Sequence, residues 1–311
     1  MSGIGVVVNP RAGKNRRHRD RAVLLGSVVG RHGWVRETGS LEHLADVAEE
    51  CRSRAVDLLG VCGGDGTLAR TLSALVRAYG GEVLPRIVPL RAGTMNTVAR
   101  AMGCPAWRPE RMLAEIVATY STGGRLDATE HQLLRVGSND YGFMVGVGVP
   151  VEFLRLYYAQ PQPGATAALR VLGALAGSVL RRDDVVERVF ARVGAEVRCD
   201  GALLPCVAYS VIYASTIEEI GLGFRPTPRA RERSGQFQIF AGEVGAAEFL
   251  RSMPAIRRGR PTELPHINTA VVSTLRVEFR QPTFYMVDGD IMDPATQLTV
   301  DPGPVVRVVR R

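Results

Sequence analysis

Short apolar runs alternate with amphipathic stretches through the first third of the chain. Residues 4–8, 58–62 and 87–90 are almost wholly apolar, as is typical of strands that are buried on both faces. The amphipathic stretches predict helices over residues 15–32, 41–55, 68–79 and 96–102. Because strands and helices alternate, we expect a parallel sheet covered by helices.

The pattern changes after about residue 127, where short strand-like segments are separated by turn residues. The predicted strands cover residues 133–136, 143–147, 195–199, 206–214, 236–241, 269–279, 283–287 and 305–309. Two helical patterns, residues 166–182 and 246–257, interrupt them. The second part of the chain should therefore be mainly β.

These two patterns predict two domains. An α/β domain covers residues 1–128 and is completed by residues 300–311, and a β domain covers residues 129–299. A chain of 311 residues with 46% hydrophobic residues can bury a core in each.

The composition of the chain favours some cellular locations and some classes of binding partner over others. The start of the chain has no signal-peptide pattern, and no apolar stretch reaches the roughly 20 residues of a membrane span. The five cysteines form no C-x-x-C pair, which favours reduced thiols and a cytoplasmic location. A net charge of +8 favours anionic partners. No basic stripe with interleaved aromatic residues is present, which argues against a nucleic-acid partner.

The most distinctive motif is a glycine-rich turn between a predicted strand and a predicted helix. It comprises Gly63, Gly64, Asp65, Gly66 and Thr67. Free N–H groups and the helix dipole at such a turn attract phosphate, and a carboxylate beside phosphate indicates Mg²⁺. Taken alone, the same residues could form a tight turn whose aspartate caps the next helix.

Similar turns follow other strands. They contribute Asn9, Pro10, Gly13 and Lys14, then Thr38, and then Gly93, Thr94 and Asn96. Each could be a structural turn. Several in succession at strand ends predict a phosphate site at the carboxyl edge of a parallel sheet, although none has the Walker A or the dinucleotide-binding spacing.

Asn-Pro-x-x-Gly, Gly-Gly-Asp-Gly-Thr and Gly-Thr-x-Asn in this order resemble the diacylglycerol kinase catalytic domain family, which includes sphingosine, ceramide and bacterial lipid kinases. The resemblance continues through Asp127, residues 142–143 and residues 287–290. It implies a Rossmann-like N-terminal domain, a C-terminal β-sandwich and an ATP site in the cleft between them. It also implies an ATP- and Mg²⁺-dependent kinase that phosphorylates a hydroxyl of diacylglycerol or a related lipid alcohol.

The resemblance gives roles to carboxylates. Members of the family carry Asp-Gly-Glu where this chain has Asp288, Gly289 and Asp290, and their Glu takes the proton of the acceptor hydroxyl. We therefore expect Asp290 to be the base, assisted by Asp288, with Asp65 organising Mg²⁺. From the residues alone, a hairpin turn with solvated acids is the favoured interpretation of the late motif.

Two departures from the family concern metal binding. Asn96 is followed by Thr97 instead of an aspartate, so Asp65 and Asp127 are the remaining candidate Mg²⁺ ligands. Residues 233–235 read Arg-Ser-Gly where bacterial relatives hold a structural metal with Asp-Asp-Gly. The sequence therefore predicts that the structural metal site is absent.

Other functions and partners stay open. A regulatory relative that binds nucleotide or lipid without turnover is one alternative, and an enzyme similar to NAD kinase is another. A lipid acceptor implies peripheral contact with the inner face of the membrane, for which the apolar residues 166–180 are a candidate, although they could instead form a core-packed helix. An exposed strand edge in the β domain could support a homodimer. The sequence does not identify the acceptor.

Overall fold

A computed structural model of the chain describes residues 3–181, 183–260 and 264–310. The chain divides into two compact units. Unit 1 comprises residues 1–133, 139–141 and 304–311, and unit 2 comprises residues 134–138 and 142–303. The chain leaves unit 1 after Leu133, within the strand that begins at Ala128.

Unit 1 contains the strand and helix alternation. Its strands are β1 (Ile4–Val8), β2 (Gly33–Glu37), β3 (Leu58–Gly63) and β4 (Arg86–Arg91), and β5 (Ala128–Val136) and β6 (Asp140–Gly142) follow where the chain passes between the units. Its helices are α1 (Arg21–Val29), α2 (Leu41–Ser53), α3 (Asp65–Tyr79), α4 (Thr97–Ala101) and α5 (Pro109–Ser121). Short 3₁₀ turns at Asn15–Arg17 and Gly30–His32 flank α1.

The sheet of unit 1 is parallel, with strand order β2-β1-β3-β4 and the end of the last strand of the chain beside β4. Every residue of β1 and β3 is buried, which explains why both strands are apolar without alternation. A core between this sheet and two of its helices includes Val6, Leu58, Leu25 and Ile116. Burial of these side chains supplies most of the driving force for this packing.

Unit 2 contains the remaining strands and helices. Its strands are β7 (Met144–Gly148), β8 (Val193–Cys199), β9 (Ala202–Leu203), β10 (Ala208–Tyr209), β11 (Val211–Ser215), β12 (Phe237–Gly242), β13 (Ile267–Val272), β14 (Leu275–Val287) and β15 (Asp290–Val309). Its helices are α6 (Val149–Tyr158), α7 (Ala165–Arg181), α8 (Asp184–Val189) and α9 (Ala246–Arg257).

All the strand pairs described within unit 2 are antiparallel. One path runs β13-β12-β11-β7-β14, and β14 also pairs with β8 and β15. A core formed from these strands contains Tyr209, Phe237 and Ile239, which are all 0% exposed. The alternation of buried and exposed residues is clearest in β8.

The predicted strands differ from the observed ones at several points. Residues 206–214 are divided between β10 and β11, and residues 283–287 continue β14 instead of forming a strand of their own. Residues 269–279 are not a single strand: β13 ends at Val272 and β14 begins at Leu275. The break forms because the N–H groups of Ser273 and Thr274 donate to the Asp200 carboxylate, at 2.9 and 2.8 Å. That carboxylate belongs to a distant part of the chain, so the local pattern did not reveal the turn.

Helix α7 corresponds to the predicted residues 166–182, of which residue 182 lies outside the described residues. It buries Ala167, Ala168, Val171 and Leu175, and the last two belong to a core with α6 and α8. Its outward residues include Leu169 and Arg170. The helix is therefore packed on one face. No helix in the described part of the chain is long and apolar enough to cross a bilayer.

Candidate functional site

Three turns lie together at the carboxyl edge of the parallel sheet. Turn A (residues 9–14) follows β1, turn B (residues 63–67) follows β3, and turn C (residues 92–96) follows β4. The strands are in register, since Val8 pairs with Cys62 and Gly63 pairs with Arg91. The shared register brings the three turns to one edge, as the sequence predicted.

Turns B and C touch through their glycines. The N–H groups of Ala92 and Gly93 donate to the Gly63 carbonyl at 3.0 and 2.8 Å. A Cβ placed on Gly93 would lie 2.3 Å from the Gly64 Cα, which is far inside contact distance. Only a residue without a side chain permits this approach at position 93.

Turn A is tied to both of the others. The Asn9 Nδ2 donates to Thr67 Oγ1 at 2.8 Å, and the Lys14 N–H donates to the Ala92 carbonyl at 2.9 Å. A Cβ on Gly13 would lie 2.5 Å from Thr94 Oγ1. Gly13 is therefore a packing glycine between turns A and C, while the exposed Pro10 and Lys14 side chains border the same edge.

The resulting cluster presents backbone donors that have no partner. Among the described residues, the N–H groups of Asp65, Gly66 and Thr67 at the start of α3, and those of Thr94 and Met95 in turn C, donate to no other group. The first N–H groups of a helix have no acceptor inside the helix, and the helix dipole adds positive potential there. We call these N–H groups the cradle. It suits an anionic ligand of the size of phosphate.

The Asp65 carboxylate occupies a different place from the one its predicted role requires. Its Oδ2 accepts the Thr97 N–H and its Oδ1 accepts the Val98 N–H, each at 2.9 Å. It therefore links turn B to the start of α4. Burial raises the pKa of Asp65, and the two N–H groups together with Arg100 and Arg91 oppose the shift.

Asp127 does not join Asp65. It lies in a pocket with Arg86, the first residue of β4, whereas turn C follows the last residue of that strand. A strand of six residues spans roughly 17 Å, so the two carboxylates lie at opposite edges of the sheet. Within the described ranges no group of three or more His, Cys, Asp or Glu side chains could hold a metal. The expected pairing of Asp65 and Asp127 around one Mg²⁺ ion does not fit this arrangement.

The amide side chains of the site are held by the protein itself. Asn96 adopts a left-handed conformation, with φ of 51°, and its amide accepts the Gly93 N–H and donates to the Gly93 carbonyl. The Asn9 Oδ1 accepts the Arg11 N–H. Both asparagines shape the turns instead of projecting freely. Thr38 lies at the same edge, where its N–H donates to the Val8 carbonyl.

Asn15 is a site residue that the sequence analysis missed. It is 2% exposed, and its Nδ2 donates to the carbonyls of Asn9 and Cys62, at 2.8 and 3.1 Å. Its side chain thus links the end of β1 to the end of β3 by hydrogen bonds. Its only signal in the sequence is its position just after the first turn.

In unit 2, Asp288 and Gly289 form the hairpin turn between β14 and β15. Their φ angles are 47° and 93°, and Val287 pairs with Asp290 across the turn. Two consecutive positive φ angles are typical of a type I′ turn, for which Asp-Gly is favoured. The hairpin interpretation is therefore correct for the backbone.

The two acids of this hairpin differ in their surroundings. Asp288 is 3% exposed, and its carboxylate accepts the N–H groups of Phe143 and Met144 at 2.8 to 3.0 Å. It is a structural anchor and not a solvated acid. Asp290 is partly exposed, so of the two it is the one whose carboxylate water or a substrate can reach.

Residues 3–125 match the family described as diacylglycerol kinase catalytic domain. Residues 186–310 match the family described as YegS C-terminal NAD kinase beta sandwich-like domain. No curated protein matches the chain.

Several solved structures have the same fold. Two from Bacillus anthracis str. Sterne carry the name diacylglycerol kinase, one of them provisionally. The chain matches the first with a TM-score of 0.73 and 15% identity, and the second with 0.66 and 14%. Each alignment covers 100% of this chain and 97% of the other. At that identity the likeness establishes the fold.

The fold is therefore that of a two-domain α/β and β protein, with a Rossmann-like N-terminal domain and a β-sandwich-like C-terminal domain. The N-terminal domain is thus similar to the diacylglycerol kinase catalytic domain family over residues 3–125, and the C-terminal domain is similar to the YegS C-terminal family over residues 186–310.

Proposed function

We propose that this protein is an ATP-dependent kinase that phosphorylates a hydroxyl of a lipid, such as diacylglycerol or a related lipid alcohol. The cradle is the observation that carries the proposal. Unpartnered N–H groups from two turns converge at the carboxyl edge of a parallel sheet, and two glycines permit their close approach. The match of residues 3–125 to the diacylglycerol kinase catalytic domain family favours ATP as the source of the phosphate.

In the proposed reaction the cradle binds the phosphates of ATP. The N–H groups of Asp65, Gly66 and Thr67 donate to the phosphate oxygens in this proposal. Lys14 and Arg11, from the neighbouring turn A, are exposed and cationic. Phosphoryl transfer depends mainly on such positioning and charge stabilisation. Mg²⁺ bound with the nucleotide would neutralise phosphate charge.

Asp290 is the proposed base. The acceptor hydroxyl transfers its proton to the Asp290 carboxylate while its oxygen forms the new bond to the γ-phosphorus and ADP leaves. Asp288 supports this role indirectly, because it fixes the turn from which Asp290 begins β15. Asp65 is the corresponding support of the cradle, since it holds the start of α4.

Nucleotide binding tests the cradle. In Gly93→Ala the new Cβ must displace Gly64, so we expect ATP affinity to fall by about tenfold or more in calorimetric titration. The control is Gly26→Ala in α1, where a Cβ meets nothing closer than 3.9 Å. Unchanged ATP affinity in a folded Gly93→Ala protein would mean that the nucleotide binds elsewhere.

Turnover tests the kinase. With labelled ATP, Mg²⁺ and lipid alcohols in mixed micelles, Asp290→Asn should lower kcat by about a hundredfold or more and leave ATP affinity unchanged. Asp290→Glu restores the residue that members of the family carry and should retain activity. Asp293→Asn, an exposed acid on the same strand, is the matched control. ATP binding without turnover of any lipid would favour the non-catalytic alternative, and turnover of added NAD⁺ would favour the NAD kinase alternative.

Peripheral binding to the inner membrane face and homodimer formation stay predictions. Vesicle flotation and size-exclusion chromatography with light scattering test them independently of turnover.

A further inference from the structure

A cavity of about 330 Å³ opens at the edge of the parallel sheet opposite the cradle. Arg86 at the start of β4, Arg307 near the end of β15 and Arg125 in the loop after α5 contribute to its wall. The remaining lining residues are Gly124, Leu126, Asp127 and Ala128. We call this the arginine pocket. All of its residues belong to unit 1.

The fold explains why two of these arginines lie side by side. Val308 pairs with Ile87 in parallel register, so Arg307 stands next to Arg86. Ile87 and Val308 are buried in the core, 0% and 2% exposed, and neighbouring residues of a strand point to opposite faces. Arg86 and Arg307 therefore lie together on the opposite face of the sheet, the face that carries Val88 and Val309 of the unit 1 core.

The third arginine comes from a constrained loop. Helix α5 ends at Ser121, and the Gly124 N–H donates to the Thr119 carbonyl at 2.8 Å, which turns the chain back over the helix end. Leu126 is 6% exposed in the core of unit 1, and the Asp127 carbonyl accepts the Arg310 N–H at 2.9 Å. The segment that carries Arg125 is thus anchored on both sides.

The pocket has an excess of positive charge. Three arginines and one acidic residue, Asp127, line it, and in the part of the chain that the structure describes Arg86, Arg125 and Arg307 form no ion pair. Other arginines of the described residues do form ion pairs, as Arg52 does with Glu82. Like charges that converge without partners are unfavourable unless an anion lies among them.

We propose that the arginine pocket is a second anion site that binds a phosphate monoester or free phosphate. Guanidinium groups present paired N–H donors that match phosphate oxygens, and three of them surround a cavity of a size that suits one such group. The site is separate from the cradle, because β4 begins at one and ends at the other. The proposal therefore does not depend on nucleotide binding or on catalysis.

Asp127 gives the pocket a selectivity. A carboxylate beside an anion is repulsive unless the anion carries a hydrogen that it can donate. Phosphate and its monoesters can still carry a hydrogen near neutral pH in part of their population, since the second pKa of the esters is about 6, whereas sulfate carries none. The pocket should therefore prefer phosphate to sulfate.

Titration of the full-length protein with inorganic phosphate, followed by ³¹P NMR and calorimetry, tests the site. Arg125→Gln and Arg307→Gln change exposed side chains and should each weaken the binding by about tenfold or more. Arg31→Gln removes the same charge before β2, three strands from β4, and should change it by less than about twofold. Asp127→Asn should abolish the preference for phosphate over sulfate.

The source of the phosphate group is decided by two further ligands. Glycerol 3-phosphate in solution is compared with phosphatidylcholine vesicles that contain or lack phosphatidic acid, using the same variants. Binding of either source that depends on Arg125 and Arg307 supports the proposal and identifies the source. Phosphate binding that is equal in wild type, Arg125→Gln and Arg307→Gln overturns it, and so does an absence of binding outside the cradle.

Discussion

Two aspartates of the site, Asp65 and Asp288, act on the backbone. Asp65 accepts N–H groups from the first two residues of α4, and Asp288 accepts those of Phe143 and Met144. An ionised carboxylate has only acceptors, so several N–H groups of one turn can converge on it. Each aspartate fixes a segment that is distant in sequence, which explains why the motif alone suggested direct chemistry for both.

Replacing Asp65 tests its role as an anchor. Asp65→Ala leaves two N–H groups at the start of α4 without their acceptor, so we expect a loss of about 2 kcal/mol in the free energy of unfolding. Asp65→Asn keeps one acceptor oxygen and should lose less. Urea denaturation measures both.

Asp46→Ala, on the exposed face of α2, is the control and should stay within about 0.5 kcal/mol of wild type. If Asp65→Ala had wild-type stability but needed far more Mg²⁺ for activity, the carboxylate would act on the ligand and not on α4.

The buried thiol of Cys62 should make the folded protein less stable at alkaline pH. Burial raises the pKa of Cys62 from 9.0 to about 12, against smaller opposing effects of Asn15 and Arg21. The folded state therefore keeps a proton that the unfolded chain releases above pH 9.0, so stability is lost as the pH rises through this window. Between these pH values the free energy of unfolding of wild type should fall more steeply than that of Cys62→Ala, by up to about 1.4 kcal/mol per pH unit.

Cys206→Ala provides the comparison, since Cys206 is the one cysteine that is partly exposed. Equal slopes for wild type and Cys62→Ala in chemical denaturation at several pH values would contradict the prediction.

At the scale of elements, the hairpin between β14 and β15 depends on a local turn sequence, Asp-Gly, and on a tertiary contact of the Asp288 side chain. Asp-Gly predicts the type I′ turn from the sequence alone. The orientation of the Asp288 side chain toward the start of β7 depends on the pairing of β14 with β7, in which Val287 lies opposite Val145.

Asp288→Ala should destabilise unit 2 by about 3 kcal/mol or more. It leaves the buried N–H groups of Phe143 and Met144 without an acceptor, and it places alanine at a φ of 47°. Asp288→Asn tolerates that φ and keeps one acceptor, so it should cost less. Thermal and urea unfolding compare both variants with Asp293→Ala. Similar free energies of unfolding for all three variants would show that Asp288 is not a structural anchor.

The elements that the sequence missed have common physical causes. Helices α5 and α6 follow Arg108 and Gly148, neither of which caps the helix with its side chain, so a proline in the first turn was the one start signal that each offered. Strand β15 runs from Asp290 to Val309, whereas only residues 305–309 have the apolar pattern. Exposed parts of a strand carry polar residues that a local pattern cannot separate from a loop.

At the scale of the whole molecule, the chain returns to unit 1 at its end. Residues 304–311 belong to unit 1, and Val306, Val308 and Val309 are at most 2% exposed there. Burial of a valine contributes about 1.5 kcal/mol or more, so these three together are comparable with the total stability of a small domain. The completion of the first domain by residues 300–311 stays a prediction, while the last segment of unit 1 begins at residue 304.

In a chain that ends at Gly303, the backbone N–H groups of unit 1 should therefore be less protected from hydrogen exchange. Hydrogen exchange measured by mass spectrometry should show faster exchange in β3 and β4, while β11 and β12 of unit 2 stay protected.

A matched pair of point variants tests how much the C-terminal segment contributes to the stability of unit 1. Val308→Ala should cost about 2 kcal/mol, and Val305→Ala, at a position that is 44% exposed, should cost less than about 0.5 kcal/mol. Protection of β3 and β4 in the shortened chain equal to wild type would show that unit 1 does not need this segment.

The sequence by itself determined the two-part plan, the parallel sheet and the position of the three turns, because these depend on short-range periodicity and on glycine at strand ends. The tertiary structure decided what the polar side chains do. It directed Asp65 to α4 and Asp288 to β7, and it separated Asp127 from Asp65 by the length of β4. It also brought Arg86, Arg125 and Arg307 together. Their spacing along the chain carries no signal, since only the register of parallel strands and the return of the C-terminal segment make them neighbours.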